Sequence, residues 1–163
     1  MIFFKRLIQN LLKGPATEPY PPCGADTPEN LRGRISFDAS LCTGCRMCEH
    51  VCAGGAIRIE ENSKGMTFTL WHNTCAFCGL CVHYCKTGAI RHTNDWHLAH
   101  GQSEKYRILE QGAIDYVACD RCGCNLMPVP EILFNKAYQE TNTRISQMRQ
   151  LCPSCRQKAC VSE

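Results

Sequence analysis

Residues 1–13 set Phe4, Leu7, Ile8, Leu11 and Leu12 at helical spacing, with Lys5, Arg6, Gln9, Asn10 and Lys13 on the opposite side. This pattern predicts an amphipathic helix that ends at Gly14 and Pro15. At about 20 Å it is too short to cross a bilayer. Its charges lie within the apolar stretch rather than ahead of it, unlike those of a signal peptide. Such a helix either docks on a membrane surface or membrane-arm partner, or packs on the chain's own core. Residues 14–28 are interrupted by Pro15, Pro19, Pro21, Pro22 and Pro28, which predicts an extended strap lying along another surface. Apolar and polar positions alternate over 57–60 and again over 66–71, around Asn62-Ser63-Lys64-Gly65, and predict a β-hairpin. Beyond Asn94 the periodicity is lost. A second helical stretch is expected from Pro130, where Ile132, Leu133 and Ala137 follow at compatible spacing, with a break at Thr141-Asn142-Thr143. No run approaches the roughly 18 apolar residues of a membrane-spanning helix.

The hairpin lies between two copies of one motif offset by 33 positions: CTGCRMCEHVCAGGAIRI returns as CAFCGLCVHYCKTGAIRH. Besides the cysteines, His50 matches His83, Gly55 matches Gly88, Ala56 matches Ala89, Ile57 matches Ile90 and Arg58 matches Arg91, so the segment reads as a duplication.

Fifteen cysteines in 163 residues make thiol chemistry the main candidate for holding the chain together. Their odd number, their two-residue gaps and the lack of a leader pattern favour metal in a reducing compartment over a disulfide framework. The formal charge of +3 assumes neutral thiols. Two four-iron clusters and one tetrathiolate zinc, each adding about two negative charges, would take it to about −3. With no basic run and no basic–aromatic interleaving, no nucleic-acid partner is expected. No Ser/His/Asp set, phosphate-binding glycine loop or Walker motif occurs, so no catalytic residue is expected.

Cys42, Cys45, Cys48 and Cys52 have the spacing C-x2-C-x2-C-x3-C, repeated by Cys75, Cys78, Cys81 and Cys85. Three thiolates at two-residue gaps wrap one cubane, and the fourth reaches the neighbouring one. The expected sets are therefore Cys42, Cys45, Cys48 with Cys85, and Cys75, Cys78, Cys81 with Cys52. A zinc ion needs only four ligands and would leave this doubled three-plus-one spacing unexplained. Near the C-terminus, a gap of 29 residues separates Cys119 and Cys122 from Cys152 and Cys155. Two such knuckles suit one tetrahedral zinc; mononuclear iron in the same thiolates, or a set using Cys124 or Cys160, is the alternative. Cys23 stands alone and reads as inert. His50 and His83 either tune a cluster through hydrogen bonds to sulfur or are inherited helix-turn residues.

The doubled motif resembles the bacterial two-cluster ferredoxins, with Ala53 and Lys86 in place of the usual proline after each fourth cysteine. The amphipathic start, the strap GPATEPYPP and the run NLRGRISFD resemble the ferredoxin-like subunit shared by respiratory complex I and membrane-bound [NiFe]-hydrogenases. The ending CPSCRQKAC resembles the hydrogenase branch, of formate hydrogenlyase type. The resemblance implies an α+β protein in three parts: helix and strap over 1–34, a duplicated ferredoxin-like core over 35–95, and a cysteine-rich, zinc-ribbon-like module over 96–163. It further implies an electron-transfer subunit with two 4Fe-4S clusters, working among iron-sulfur and [NiFe] subunits. Its expected place is peripheral, on the cytoplasmic side of the inner membrane against a membrane arm. A complex I-type quinone oxidoreductase subunit and a free diffusible ferredoxin are the alternatives.

Overall fold

The computed structural model describes residues 2–15, 17, 20, 27–138 and 143–161. Most of the strap lies outside them, as do Cys23, Thr141 and Asn142. The first helix, α1, spans Ile2–Lys13, and Gly14, at φ +74°, closes it by donating its N–H to the Asn10 carbonyl at 3.1 Å. None of its residues is buried, and Leu11 and Leu12 are over four-fifths exposed, so packing on the chain's own core is not the use it finds. The strap is pinned at two points. Tyr20 packs its ring 4.6 Å from Trp96 and accepts a hydrogen bond from the Ala99 N–H, and Thr27 accepts one from the Trp96 indole.

Strand β1 (Ile35–Phe37) pairs antiparallel with β4 (Ile90–His92). The predicted hairpin forms from β2 (Ile57–Asn62) and β3 (Gly65–Trp71), with Asn62 opposite Gly65. Its turn is fixed by Asn62, whose Oδ1 accepts from the N–H groups of Lys64 and Gly65 at 2.9 and 2.8 Å. A further strand, β5 (Leu109–Asp115), joins the free edge of β3 and gives the order β2-β3-β5. Short helices α2 (Met47–His50) and α3 (Leu80–Tyr84) occupy the same place in the two repeats.

Ile35, Ile57, Ile59, Phe68, Leu70, Ile90 and Ile114 form the core between these strands. Phe68 and Leu70 are fully buried, each worth roughly 1.5–3 kcal/mol relative to an exposed position. The C-terminal residues fold into a small ribbon, β6 (Val117–Ala118) with β7 (Asn125–Leu126), and three helices: α4 (Glu131–Ala137), α5 (Thr143–Arg149) and α6 (Pro153–Val161). Pro130 stands at the start of α4, as the sequence predicts; α4 ends at Ala137, ahead of the expected break at Thr141-Asn142-Thr143, and Thr143, the one described residue of that run, opens α5. No helix of the described residues is long and apolar enough to cross a membrane.

Candidate metal centres

Each cysteine motif is a loop that curls back on itself, which needs left-handed backbone. In the first repeat Gly44, Arg46 and Gly55 have φ of +66°, +59° and +59°. In the second, Phe77, Gly79 and Gly88, each 33 positions on, have +52°, +78° and +71°. Thus the same three turns recur, and at two of them a non-glycine residue accepts an uncommon conformation. Arg46 is held there by its neighbours: its guanidinium donates to Glu49 Oε2 at 3.0 Å and to the Ile59 carbonyl at 3.1 Å.

The loops wall two cavities. One, of about 380 Å³, is lined by Cys42, Cys45, Cys48 and Cys85 together with Ile59, Ile90 and Leu133. The other, of about 130 Å³, is lined by Cys75, Cys78, Cys81 and Cys52 with Ile35, Ile57, Leu70 and Phe77. In each, three thiols of one motif face the fourth thiol of the other. Four soft sulfur donors around an otherwise apolar space suit an iron-sulfur cluster, whose charge is spread over its own sulfides.

Sulfurs in both loops receive hydrogen bonds in matching patterns. Gly44 N–H donates to Cys42 Sγ at 3.4 Å and Phe77 N–H to Cys75 Sγ at 3.5 Å. Ala56 N–H donates to Cys52 Sγ at 3.2 Å, and the buried Thr87 hydroxyl lies 3.6 Å from Cys85 Sγ. Burial pushes the Cys48 thiol up to about 12 and the Cys81 thiol to about 11, and the neighbouring sulfurs add to both. Burial also pushes Cys85 upward, but the Thr87 hydroxyl and backbone N–H groups aimed at its sulfur hold it below the usual thiol range. His50 and His83 are both exposed, and His83 turns its ring to Tyr84, 5.1 Å away. Among the described residues the hydrogen bonds to these sulfurs come from backbone and Thr87, which favours the inherited-residue reading of the two histidines.

A third group of thiols lies in the C-terminal module. The Sγ atoms of Cys119, Cys122, Cys124 and Cys152 all lie within 4.8 Å of one another. The ribbon brings Cys124 there: Cys119 N–H donates to the Cys124 carbonyl at 2.9 Å, and Gly123, at φ +69°, makes the reversal possible. Cys155, on α6, packs with buried Cys119 and Cys152 and donates its N–H to Cys152 Sγ at 3.4 Å. Five thiols thus converge where spacing paired four, and the alternative set that uses Cys124 is the one whose sulfurs all lie within 4.8 Å of one another. The signal for it was the third cysteine, one residue past the knuckle and behind a glycine. Cys160 is exposed on α6. The Cys152 N–H donated to Cys119 Sγ at 3.2 Å pulls that thiol down to about 6, whereas Cys124, donating to Cys122, and Cys155, donating to Cys152, are pushed up to about 12. Cys119 and Cys152, held low, beside Cys124 and Cys155, held high, form a donor set that a divalent thiophilic ion completes by displacing protons.

Among curated proteins, none matches the sequence. Of solved structures, a chain of the membrane-bound sulfane sulfur reductase, an archaeal respiratory membrane complex, superposes with a TM-score of 0.44 at 21% identity, over 85% of this chain and 69% of that one. The family described as the 4Fe-4S dicluster domain matches residues 41–90, the span that holds both motifs and both cavities. That segment carries a ferredoxin-like 4Fe-4S dicluster domain.

Proposed function

We propose that this chain is the electron-relay subunit of a membrane-associated hydrogenase complex of formate hydrogenlyase type, and not a catalyst in its own right. Cys42, Cys45, Cys48 and Cys85 hold one 4Fe-4S cluster, and Cys75, Cys78, Cys81 and Cys52 hold the other. When bound, such clusters supply reversible one-electron transfer. The chain's own residues wrap them in apolar walls, direct N–H groups at their thiolates and keep water away. The observation that carries this reading is the pair of cavities, each walled by three thiols of one repeat and one of the other. The C-terminal thiols hold a single zinc, with iron as the competing ion, in a structural role.

Membership of the hydrogenase complex is supported by the ending CPSCRQKAC and by a second feature. Helix α1 presents Phe4, Leu7, Ile8, Leu11 and Leu12 to the outside with only cationic charges beside them. A diffusible carrier has no use for such a face, whereas a subunit seated against a membrane arm, on the cytoplasmic side, does.

Anaerobic purification of the complex from its native source tests both levels. About eight irons per chain beyond any mononuclear site, together with a co-purifying [NiFe] large subunit, is the expected result. A quinone-linked set of partners would move the chain to the complex I branch. Recovery as a lone soluble protein, unaffected by deletion of residues 1–28, would make it a free ferredoxin. A colourless, iron-free chain that still supports the reaction would refute the relay itself.

A further inference from the structure

The two cavities are built from matching residues, yet their outer walls differ. In the second repeat Phe77 stands between Cys75 and Cys78 and lines the cavity with its own side chain. The matching residue of the first repeat is Gly44, which has none. The space where its β carbon would stand is taken by the terminal methyl of Met127. Leu133, from α4, also lines the first cavity, whereas residues 35–81 alone line the second. Met127 follows directly on Leu126, the last residue of β7, and the two pack on different neighbours. Leu126 packs on Cys119, Cys152 and Cys155, and Met127 packs on the core and the first cysteine loop.

We propose that the C-terminal thiol module walls and braces the first cavity: with its own metal bound it holds Leu133 in the cavity's lining and Met127 against Gly44 of the loop 42–48, shielding the cluster there from water and solutes. The second cluster is shielded by residues 35–81, without the C-terminal module. The inference rests on the two-cluster reading above. It gives the module a task in electron transfer, since solvent access is one of the levers on cluster potential and lifetime. Water admitted to one site stabilises the more negative reduced form and raises the potential of that cluster alone.

The test uses the full chain with clusters loaded anaerobically, bleached by ferricyanide and EDTA while the thiolate-to-iron absorption is followed. Met127→Ala and Leu133→Ala, on separate elements, are each expected to speed one of two bleaching phases by about fivefold or more and leave the other within about twofold. Leu80→Ala, in the wall of the second cavity, should speed the other phase. Cys122→Ser, which weakens the C-terminal metal site, should act on the same phase as Met127→Ala, and a redox titration should show a single potential rising. If both phases accelerate together in the Met127 and Leu133 variants, or neither changes, the module is not a wall and the proposal falls. Wild-type protein with far fewer than eight irons would instead overturn the two-cluster reading beneath it, and the proposal with it. An iron content near eight with unresponsive phases overturns this inference alone.

Discussion

At Gly112 a β carbon would lie 2.6 Å from Cδ1 and Cε1 of Phe37, whose ring stacks on the fully buried Phe68 with centroids 4.0 Å apart. The Phe37 ring cannot retreat toward Phe68, which is fully buried at the centre of the core. Gly112→Ala is therefore expected to destabilise the loaded protein by about 1–3 kcal/mol through overpacking. Gly101→Ala, with only Ser103 Oγ at 3.8 Å, should stay within about 0.5 kcal/mol. Parallel anaerobic thermal melts would decide it, and equal midpoints would show that the ring pair yields freely. His72 sets a second constraint. Its side chain is 4% exposed, its Nδ1 has no described partner, and burial, aided by Arg34, holds its pKa below the usual 6.5. The unfolded chain thus takes up a proton that the folded chain refuses, so this contribution to stability is present at high pH and is lost as pH falls below 6.5. His72→Phe should keep more of its stability than the wild type between about pH 7 and about pH 5. If both lose the same amount, His72 titrates freely in the fold.

Among elements, what could be read from the sequence followed how many inward positions were apolar. The hairpin β2–β3 was legible because Ile57, Ile59, Phe68 and Leu70 face one side and are buried together. Strand β5 was not, although it adds a full seven-residue pairing to β3. Its inward positions are Glu110, Gly112 and Ile114. The first is a carboxylate whose Oε1 accepts from the Phe37 N–H at 3.0 Å, and the second has no side chain. Only Ile114 advertises burial. Helix α4 announced itself through Pro130, but α5 carries no buried residue and nothing in its pattern marks it. The thiol cluster was legible as two knuckles with Cys124 only as an alternative ligand, because folding of the ribbon, not spacing, brings Cys124 in. The five thiols also fix a pH response. With Cys119 down at about 6 and Cys124 and Cys155 up at about 12, a divalent ion must displace a proton from either of the latter two that it takes. Zinc affinity of the metal-stripped module in the full chain should therefore rise steeply from about pH 6 to about pH 8, with proton release seen in calorimetry run in buffers of different ionisation enthalpy. A flat profile would mean that these thiols are not the ligands.

In the whole molecule each repeat places its fourth cysteine in the wall of the other repeat's cavity. Strands β1 and β4 tie the start of the first repeat to the end of the second, so Cys85 is delivered beside Cys42, Cys45 and Cys48. The tight turn after Cys52, closed by Gly55 N–H to the Cys52 carbonyl at 3.0 Å, aims that thiol into the other cavity. A self-contained repeat and a crossed pair make opposite predictions for double substitutions, because losses at one site do not add whereas losses at independent sites do. In the crossed arrangement Cys52 and Cys78 serve the same cluster, so Cys52→Ser combined with Cys78→Ser should cost no more than one cluster, leaving about four irons. Cys52→Ser combined with Cys45→Ser removes a ligand from each cavity and should bring the count towards zero. The reverse ranking of iron contents, measured with acid-labile sulfide on protein folded anaerobically, would mean that each repeat keeps its own fourth cysteine. The mirror pair sharpens the distinction: Cys85→Ser with Cys45→Ser should spare the second cluster, and Cys85→Ser with Cys78→Ser should spare neither.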